Sequence, residues 1–264
     1  MAKVEATVFS SDAELGRAAA REIFEGIRQA ADMGRDYVLG CPGGRSPRST
    51  YHALASMAAA SQQSLRHLFI AMMDEYVVPS PTGEMHNVDE ALHFSCRGFA
   101  SREIRDLLNI SLDAHLQIPY DHVLVPNARR PLDYEEHLRD IGVNCFLLAS
   151  GTTDGHVAFN GRGTARGAVT RVTQLAYETR RDNLSTFPQF NSLSEVPDFG
   201  VTVGPQTIVA VSAKTIMLLQ GSHKREAYQH IATAEDYTPD WPATIISECA
   251  APKIFVDSDA AAKI

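Results

Sequence analysis

The segment LLASGTTDGHVAFN places Asp154 two residues before His156, in a glycine-bounded loop that follows an apolar run. A carboxylate at that spacing can fix the tautomer of an imidazole or raise its basicity, which suits proton transfer. A histidine tied into its own loop would show the same spacing. AMMDEYVVP sets Asp74 and Glu75 directly after another apolar run. A carboxylate at the mouth of a sheet can be shielded enough to act as a base near neutral pH, or it can cap a helix or turn. VLGCPGGRSPRST carries Gly43 and Gly44 in a sharp turn, then Arg45 and Ser46, then Pro47 ahead of Tyr51, Leu54 and Met57 at helical spacing. A strand turning through glycines into a helix start gathers bare N–H groups at one point and suits an anion. An ordinary strand-to-helix turn uses the same residues, and neither the P-loop nor the dinucleotide fingerprint is present. LLQGSHKREAY repeats that architecture. Lys224 near a helix start is unfavourable unless an anion offsets its charge or water solvates it.

Two other groupings carry less. His86, Asp89, Glu90 and His93 are at helical spacing and resemble a ligand set, but the spacing is not HExxH, and a mobile polar flap is the preferred reading. No metal is expected. Ser46, Ser49 and Thr50 include possible nucleophiles, yet GxSxG is absent and serine catalysis has no support.

The elements that must position these residues are short apolar runs alternating with stretches of helical period, the pattern of parallel strands joined by crossover helices. Strands are expected at Glu5 to Phe9, Tyr37 to Cys41, Leu68 to Met73, His122 to Val125, Cys145 to Ala149, Thr215 to Leu219 and Lys253 to Val256. Ser11-Asp12-Ala13-Glu14 reads as a capping box, with Ser11 as N-cap of a helix whose apolar face is Leu15, Ala19, Ile23 and Ile27. Ala58 to Ala60 reads as a helix end, and Asp182 to Pro197 as a long surface loop. In an open parallel sheet, ligands bind beyond the carboxyl ends of the strands. Gly43 to Arg48, Asp74 to Tyr76, Thr152 to Asn160 and Gly221 to Lys224 are therefore expected to meet.

A chain of 264 residues with 44% hydrophobic content is expected to form a single domain over residues 1–264. Its net charge of −8 argues against a nucleic-acid surface. No apolar run approaches membrane-spanning length, and four scattered cysteines without CxxC or a secretory leader suggest a soluble, cytoplasmic protein.

The segments VLGCPGGRSPRSTY, MDEYVVP, TDGHVAFN, TRVTQLAYETRRDN, VTVGPQTI and GSHKREA, in this order, resemble the glucosamine-6-phosphate deaminase family, a relative of the 6-phosphogluconolactonases. MDEY and DGHVAFN look like the deaminase branch. The resemblance implies an α/β, Rossmann-like parallel sheet flanked by helices, with a small lid at about residues 79–108, and no cofactor. It implies Asp74 as the base moving a proton between C2 and C1 of an amino-sugar phosphate. It further implies His156 as the group assisting ring opening, Asp154 as its orienting partner, and Gly43, Gly44, Ser46 and Lys224 around the phosphate, where Arg45, in place of a family glycine, is read as an added cation. The partner would be a small phosphorylated sugar, and a homo-oligomer is compatible with the family. Against the family pattern, Gly161 and Arg162 stand where Glu-Pro is usual, and that Glu belongs to the histidine's relay. Ser185 stands for a phosphate-binding Arg, Arg45 for a loop glycine, and Thr173 for an allosteric Lys, so that control is not expected. A lactonase in which His156 activates water, or a sugar-phosphate sensor without turnover, are the alternatives.

Overall fold

The computed structural model describes residues 3–262. Among the described residues, the strands are β1 (Ala6–Phe9), β2 (Tyr37–Cys41), β3 (Leu68–Met72), β4 (Asp74–Pro79), β5 (Met85–Asn87), β6 (Val123–Leu124), β7 (Cys145–Ala149), β8 (Arg171–Gln174), β9 (Phe199–Thr202), β10 (Thr215–Leu219) and β11 (Pro252–Asp257). The α-helices are α1 (Asp12–Asp32), α2 (Arg48–Ser61), α3 (Cys96–Phe99), α4 (Asp106–Asn109), α5 (Pro131–Ile141), α6 (Tyr177–Thr186), α7 (Pro205–Val211), α8 (Arg225–Thr233) and α9 (Ser258–Ala261).

The expected strands form one seven-stranded parallel sheet in the order β1-β11-β10-β7-β2-β3-β6. Their side chains alternate between two apolar layers, as a sheet covered on both faces requires. Leu39, Cys41, Leu147, Ile216 and Leu218 pack under α1 and α2 with Leu15, Ile23, Tyr51 and Leu54. Val38, Phe146, Leu148, Met217 and Leu219 pack on the opposite face with Leu138, Ile208 and Ile231 of α5, α7 and α8. Gly40 is required between these layers, because a Cβ there would lie 2.3 Å from the Phe146 ring of the neighbouring strand. Ser11 caps α1 by accepting from the Glu14 N–H at 3.3 Å. The Glu14 carboxylate turns instead to the Ser10 backbone and hydroxyl, so only half of the expected capping box forms.

The order of strands sets the site. From β2 the chain runs outward through β3 to β6, then returns to the other side of β2 with β7 and continues through β10 to β11. The loops after β2 and β7 therefore diverge in opposite directions and leave a crevice between them.

A second, antiparallel sheet, β5-β4-β9-β8, has no counterpart in the sequence expectations. β4 starts two residues after β3 ends, so Asp74 opens a new strand instead of a turn. Met73, the residue between, joins both sheets: its N–H donates to the Cys41 carbonyl at 3.2 Å and its carbonyl accepts from Val203 at 2.9 Å.

Other expectations need correction. Asp182 to Thr186 is the C-terminal half of α6, and the following segment contains a 3-10 turn at Leu193–Glu195 and the buried Phe190 and Val196. This stretch is therefore not a long surface loop. His86 lies on β5, with Asp89, Glu90 and His93 in the turns beyond it, so helical spacing does not apply. Among the described residues no group of three or more His, Cys, Asp or Glu could hold a metal ion. Likewise no helix is long and apolar enough to cross a membrane.

Alternation along β4 separates two adjacent carboxylates. Glu75 is 1% exposed and faces the segment that opens α3. It accepts from the N–H groups of Tyr76, Cys96 and Arg97 at 2.8–2.9 Å and from the Ser95 hydroxyl at 3.0 Å. Burial raises its pKa, against the pull of these donors. Glu75 is thus a structural anchor. Glu75→Ala would leave four buried donors unmatched and is expected to cost about 3–5 kcal/mol in urea denaturation.

Candidate active site

The four strand-end segments do meet, around one cavity of about 330 Å³. At one end the loop after β2 turns through Gly44 at φ +85°, a left-handed conformation that glycine adopts without strain. Gly43, Gly44, Arg45 and Ser46 all line the cavity. This loop is tethered from both sides: the Tyr51 hydroxyl of α2 donates to the Pro42 carbonyl at 2.9 Å, and the Gln220 amide after β10 donates to the Ser46 carbonyl at 2.6 Å. Lys224 lies on the same wall, only 7% exposed, in a 3-10 turn, Ser222–Lys224, ahead of α8. Its ammonium donates to the Ser150 carbonyl at 2.5 Å and the Thr152 hydroxyl at 3.2 Å, both on the loop after β7. Burial draws its pKa down to about 8, with Arg45 adding to the fall and Asp182 and Asp154 opposing it. A buried cation beside bare loop amides suits an anionic group.

Asp74 and His156 face the cavity from its other walls. Asp74 is 8% exposed. Its Oδ1 accepts from the Phe159 N–H at 3.1 Å and from the hydroxyl of Thr202, its cross-strand partner on β9. Burial lifts its pKa from an ordinary 3.8 to about 7, although Thr202, Phe159 and the His156 charge pull the other way. A carboxyl group with that pKa exchanges protons near neutrality. The Phe159 N–H is presented by a strained step, Ala158 at φ +53°.

His156 Nδ1 pairs with Asp154 Oδ1 at 2.8 Å, which leaves Nε2 for the cavity. Asp154 is itself buried, and the hydrogen bond and charge of His156 outweigh burial to hold its pKa below the usual range. Gly151 makes room for the pair, since a Cβ there would meet Asp154 Oδ1 at 2.2 Å and His156 Nδ1 at 2.3 Å.

The residues expected to act together at the site are brought together: Asp74, His156, Gly43, Gly44, Arg45, Ser46 and Lys224 line the cavity, with Asp154 directly behind His156. Sequence reasoning missed Thr202 and the Phe159 N–H, which hold Asp74, and Asp182, Asn183 and Thr186 of α6, which form one wall. The side-chain nitrogen of Asn183 is buried without a hydrogen-bond partner. VTVGPQTI contains Thr202 and TRRDN contains Asp182 and Asn183, so both motifs marked the segments without marking the side chains.

Residues 10–255 match the family model of glucosamine-6-phosphate isomerases/6-phosphogluconolactonase. The chain belongs to this family. A glucosamine-6-phosphate deaminase of Shouchella clausii is 32% identical over 257 residues, covering 94% of this chain and 92% of the relative. One from Bacillus pumilus is 29% identical, with 96% of each chain covered. Among solved structures, a monomeric glucosamine-6-phosphate deaminase of the NagB superfamily aligns at TM-score 0.81 with 24% identity, over 97% of this chain and 98% of that one. The 6-phosphogluconolactonase of Leishmania guyanensis aligns at TM-score 0.70 with 16% identity, over 100% and 99% of the two chains. At these identities the solved structures speak for the fold.

Within the glucosamine-6-phosphate isomerase/6-phosphogluconolactonase family, the departures have locations. At Gly161 a Cβ would lie 3.0 Å from the Ala176 Cβ, so the α6 entrance packs where a longer side chain would start. Arg162 turns away from the main cavity toward a second one behind Asp154, donating to the Thr153 carbonyl at 3.4 Å. Ser185 is exposed and does not line the cavity. Arg45, in contrast, stands on its wall.

Because Asp74 binds its proton more tightly when folded, the native chain holds more protons than the unfolded one between pH 3.8 and about 7, and stability falls as pH rises through that window. Asp74→Asn is expected to be more stable than wild type at pH 8, by about 2–4 kcal/mol, with the gain vanishing below pH 4. Thermal or urea unfolding at several pH values measures it.

Proposed function

We propose that this chain is an amino-sugar-phosphate deaminase/isomerase, acting on glucosamine-6-phosphate or a close relative to give fructose-6-phosphate and ammonia. One observation carries the reading: a buried carboxyl with pKa about 7 and a carboxylate-paired imidazole share a cavity with a buried lysine and a glycine loop. The deaminase names of the full-length relatives support it.

The phosphate would sit against Lys224 and the loop of Gly43, Gly44, Arg45 and Ser46, leaving the carbon skeleton to extend toward Asp74 and His156. His156, its Nδ1 held by Asp154, offers Nε2 to exchange a proton with the ring oxygen and open the ring. Asp74 then takes the proton from C2, giving an enolamine, and returns it to C1, which leaves an iminium at C2. Water adds there, the carbinolamine loses ammonia, and the ketose phosphate remains. A single carboxyl serves both proton transfers because the two carbons are neighbours. Thr202 and Phe159 leave the other Asp74 oxygen, Oδ2, available. All four cysteines are free and buried, with thiol pKa values raised by burial, which fits a reducing, cytoplasmic setting.

Ammonia release from glucosamine-6-phosphate tests the reading, with acid production from 6-phosphogluconolactone as the contrasting assay. Asp74→Asn is expected to lower kcat by about 10²–10⁴-fold. Lys224→Ala is expected to raise KM by about 10–100-fold, the loss of a charge-assisted contact. The base must be ionised and the lysine protonated, so kcat/KM is expected to rise with pH through about 7 and to fall above about 8. Acid from the lactone with no ammonia from the amino sugar would overturn the assignment.

A further inference from the structure

Trp241 is the only tryptophan in the chain, 3% exposed, and does not line the cavity. Its indole lies against Gly155, the residue between Asp154 and His156. A Cβ on Gly155 would meet Cγ, Cδ1 and Cδ2 of the ring at 2.3–2.4 Å. Gly155 has φ +61°, so the turn carrying the Asp154–His156 pair takes a left-handed step where the ring presses on it. The Ala243 N–H, two residues beyond Trp241, donates to the Gly155 carbonyl at 2.8 Å. Ring and backbone therefore hold the same glycine. The Gly151 N–H closes the turn by donating to the His156 carbonyl at 2.7 Å.

Trp241 is itself fixed. Its N–H donates to the Thr238 carbonyl at 3.0 Å, and its carbonyl accepts from the Thr244 N–H at 2.9 Å and the Thr244 hydroxyl at 2.7 Å. His230 of α8 stacks on the indole, with ring centroids 4.0 Å apart and planes 15° from parallel. The indole N–H is buried and has no hydrogen-bond partner among the described residues. The ring thus acts on Gly155 through shape and contact area, not through a polar bond.

We infer that Trp241 is a positioning residue for His156: its indole holds Gly155 in the turn that sets Nδ1 against Asp154 and leaves Nε2 to the cavity. The inference rests on the proposed function for the reaction His156 serves, but not for the geometry of the turn. Glycine has the widest choice of backbone conformation, and Gly155 alone separates the carboxylate from the imidazole, so rotation there moves one against the other. An ionised carboxylate can only accept, so the 2.8 Å contact keeps the ring proton on Nδ1. Without the indole the turn opens, the proton exchanges between the two nitrogens, and Nε2 loses both its place and its role. One helix serves both ends of this loop. Lys224, just ahead of α8, holds its start through Ser150 and Thr152, and His230, within α8, backs the ring that holds its end.

Trp241→Leu in the full chain tests the role. With glucosamine-6-phosphate it is expected to lower kcat by about 10–100-fold and to change KM by less than about threefold, because His156 is displaced and the glycine loop is not. Trp241→Phe returns a flat ring to Gly155 and is expected to recover most of the lost rate. Nitrogen NMR of the imidazoles at pH 8 needs no substrate, and the His156 signals are identified by their loss in His156→Gln. Wild type is expected to show one tautomer, protonated at Nδ1, and Trp241→Leu averaged shifts. Trp241→Met repeats both measurements should the Leu variant not fold. A folded Leu or Met variant with wild-type kcat, or with the wild-type tautomer at His156, would overturn the positioning role even if it were less stable. Failure of the deaminase reading would appear separately, as no ammonia from wild type, whatever the tautomer measurement shows.

Discussion

The site depends on the burial of one carboxyl group, Asp74, at the point where the two sheets join. Met73 hydrogen-bonds to both sheets, and Asp74 is the first residue of β4 beyond it. The parallel sheet thereby delivers Asp74 to the crevice, and the antiparallel sheet supplies Thr202 opposite. The loop after β7 brings the Phe159 N–H to the same oxygen. Desolvation raises the proton affinity, while these donors keep the anion attainable. Without the donors the group would stay protonated; without the burial it would be too weak a base.

Much of the parallel sheet was legible because its strands are buried on both faces and read as uninterrupted apolar runs. Tyr37–Cys41, Cys145–Ala149 and Thr215–Leu219 begin and end where the residues indicate. The antiparallel sheet was not legible, for local reasons. In LFIAMMDEYVV no glycine or proline marks the change of direction between β3 and β4, and the acidic pair reads as a turn after one strand rather than as the head of a second. FGVT and RVTQ are four residues each, and FGVT includes Gly200, whose missing Cβ leaves space for the Phe159 ring. Such segments take their conformation from their neighbours.

For the site, the ionisable side chains at the strand ends were visible: Asp74, Arg45, His156 and Lys224 line the cavity and Asp154 lies directly behind it, while Arg162 turns away. The groups that tune them were not. Thr202 is an ordinary strand threonine until its register is known, and a backbone N–H carries no sequence signature. The wall formed by α6 was hidden because TRRDNLST is polar at every position but Leu184 and resembles a surface segment. Its Asp182 and Asn183 face the cavity while Ser185 faces solvent. Of the residue changes that separate this chain from the family pattern, Arg45 lines the cavity, whereas Ser185 is exposed and Arg162 turns to a second cavity behind Asp154.

Asp74 and Glu75 are chemically similar neighbours with opposite duties, one facing the cavity and the other holding the start of α3. Only strand alternation tells them apart. Inserting or deleting one residue at the head of β4 would exchange their places, aiming Glu75 into the cavity and Asp74 at a helix. The Asp74–Thr202 pairing, with Arg171 of β8 facing Thr202 from its other side, locks that phase. The same pairing places the acidity of Asp74 under the control of a single position across the ladder. Exchanging that threonine for valine would make Asp74 hold its proton to higher pH while leaving every cavity-lining group in place.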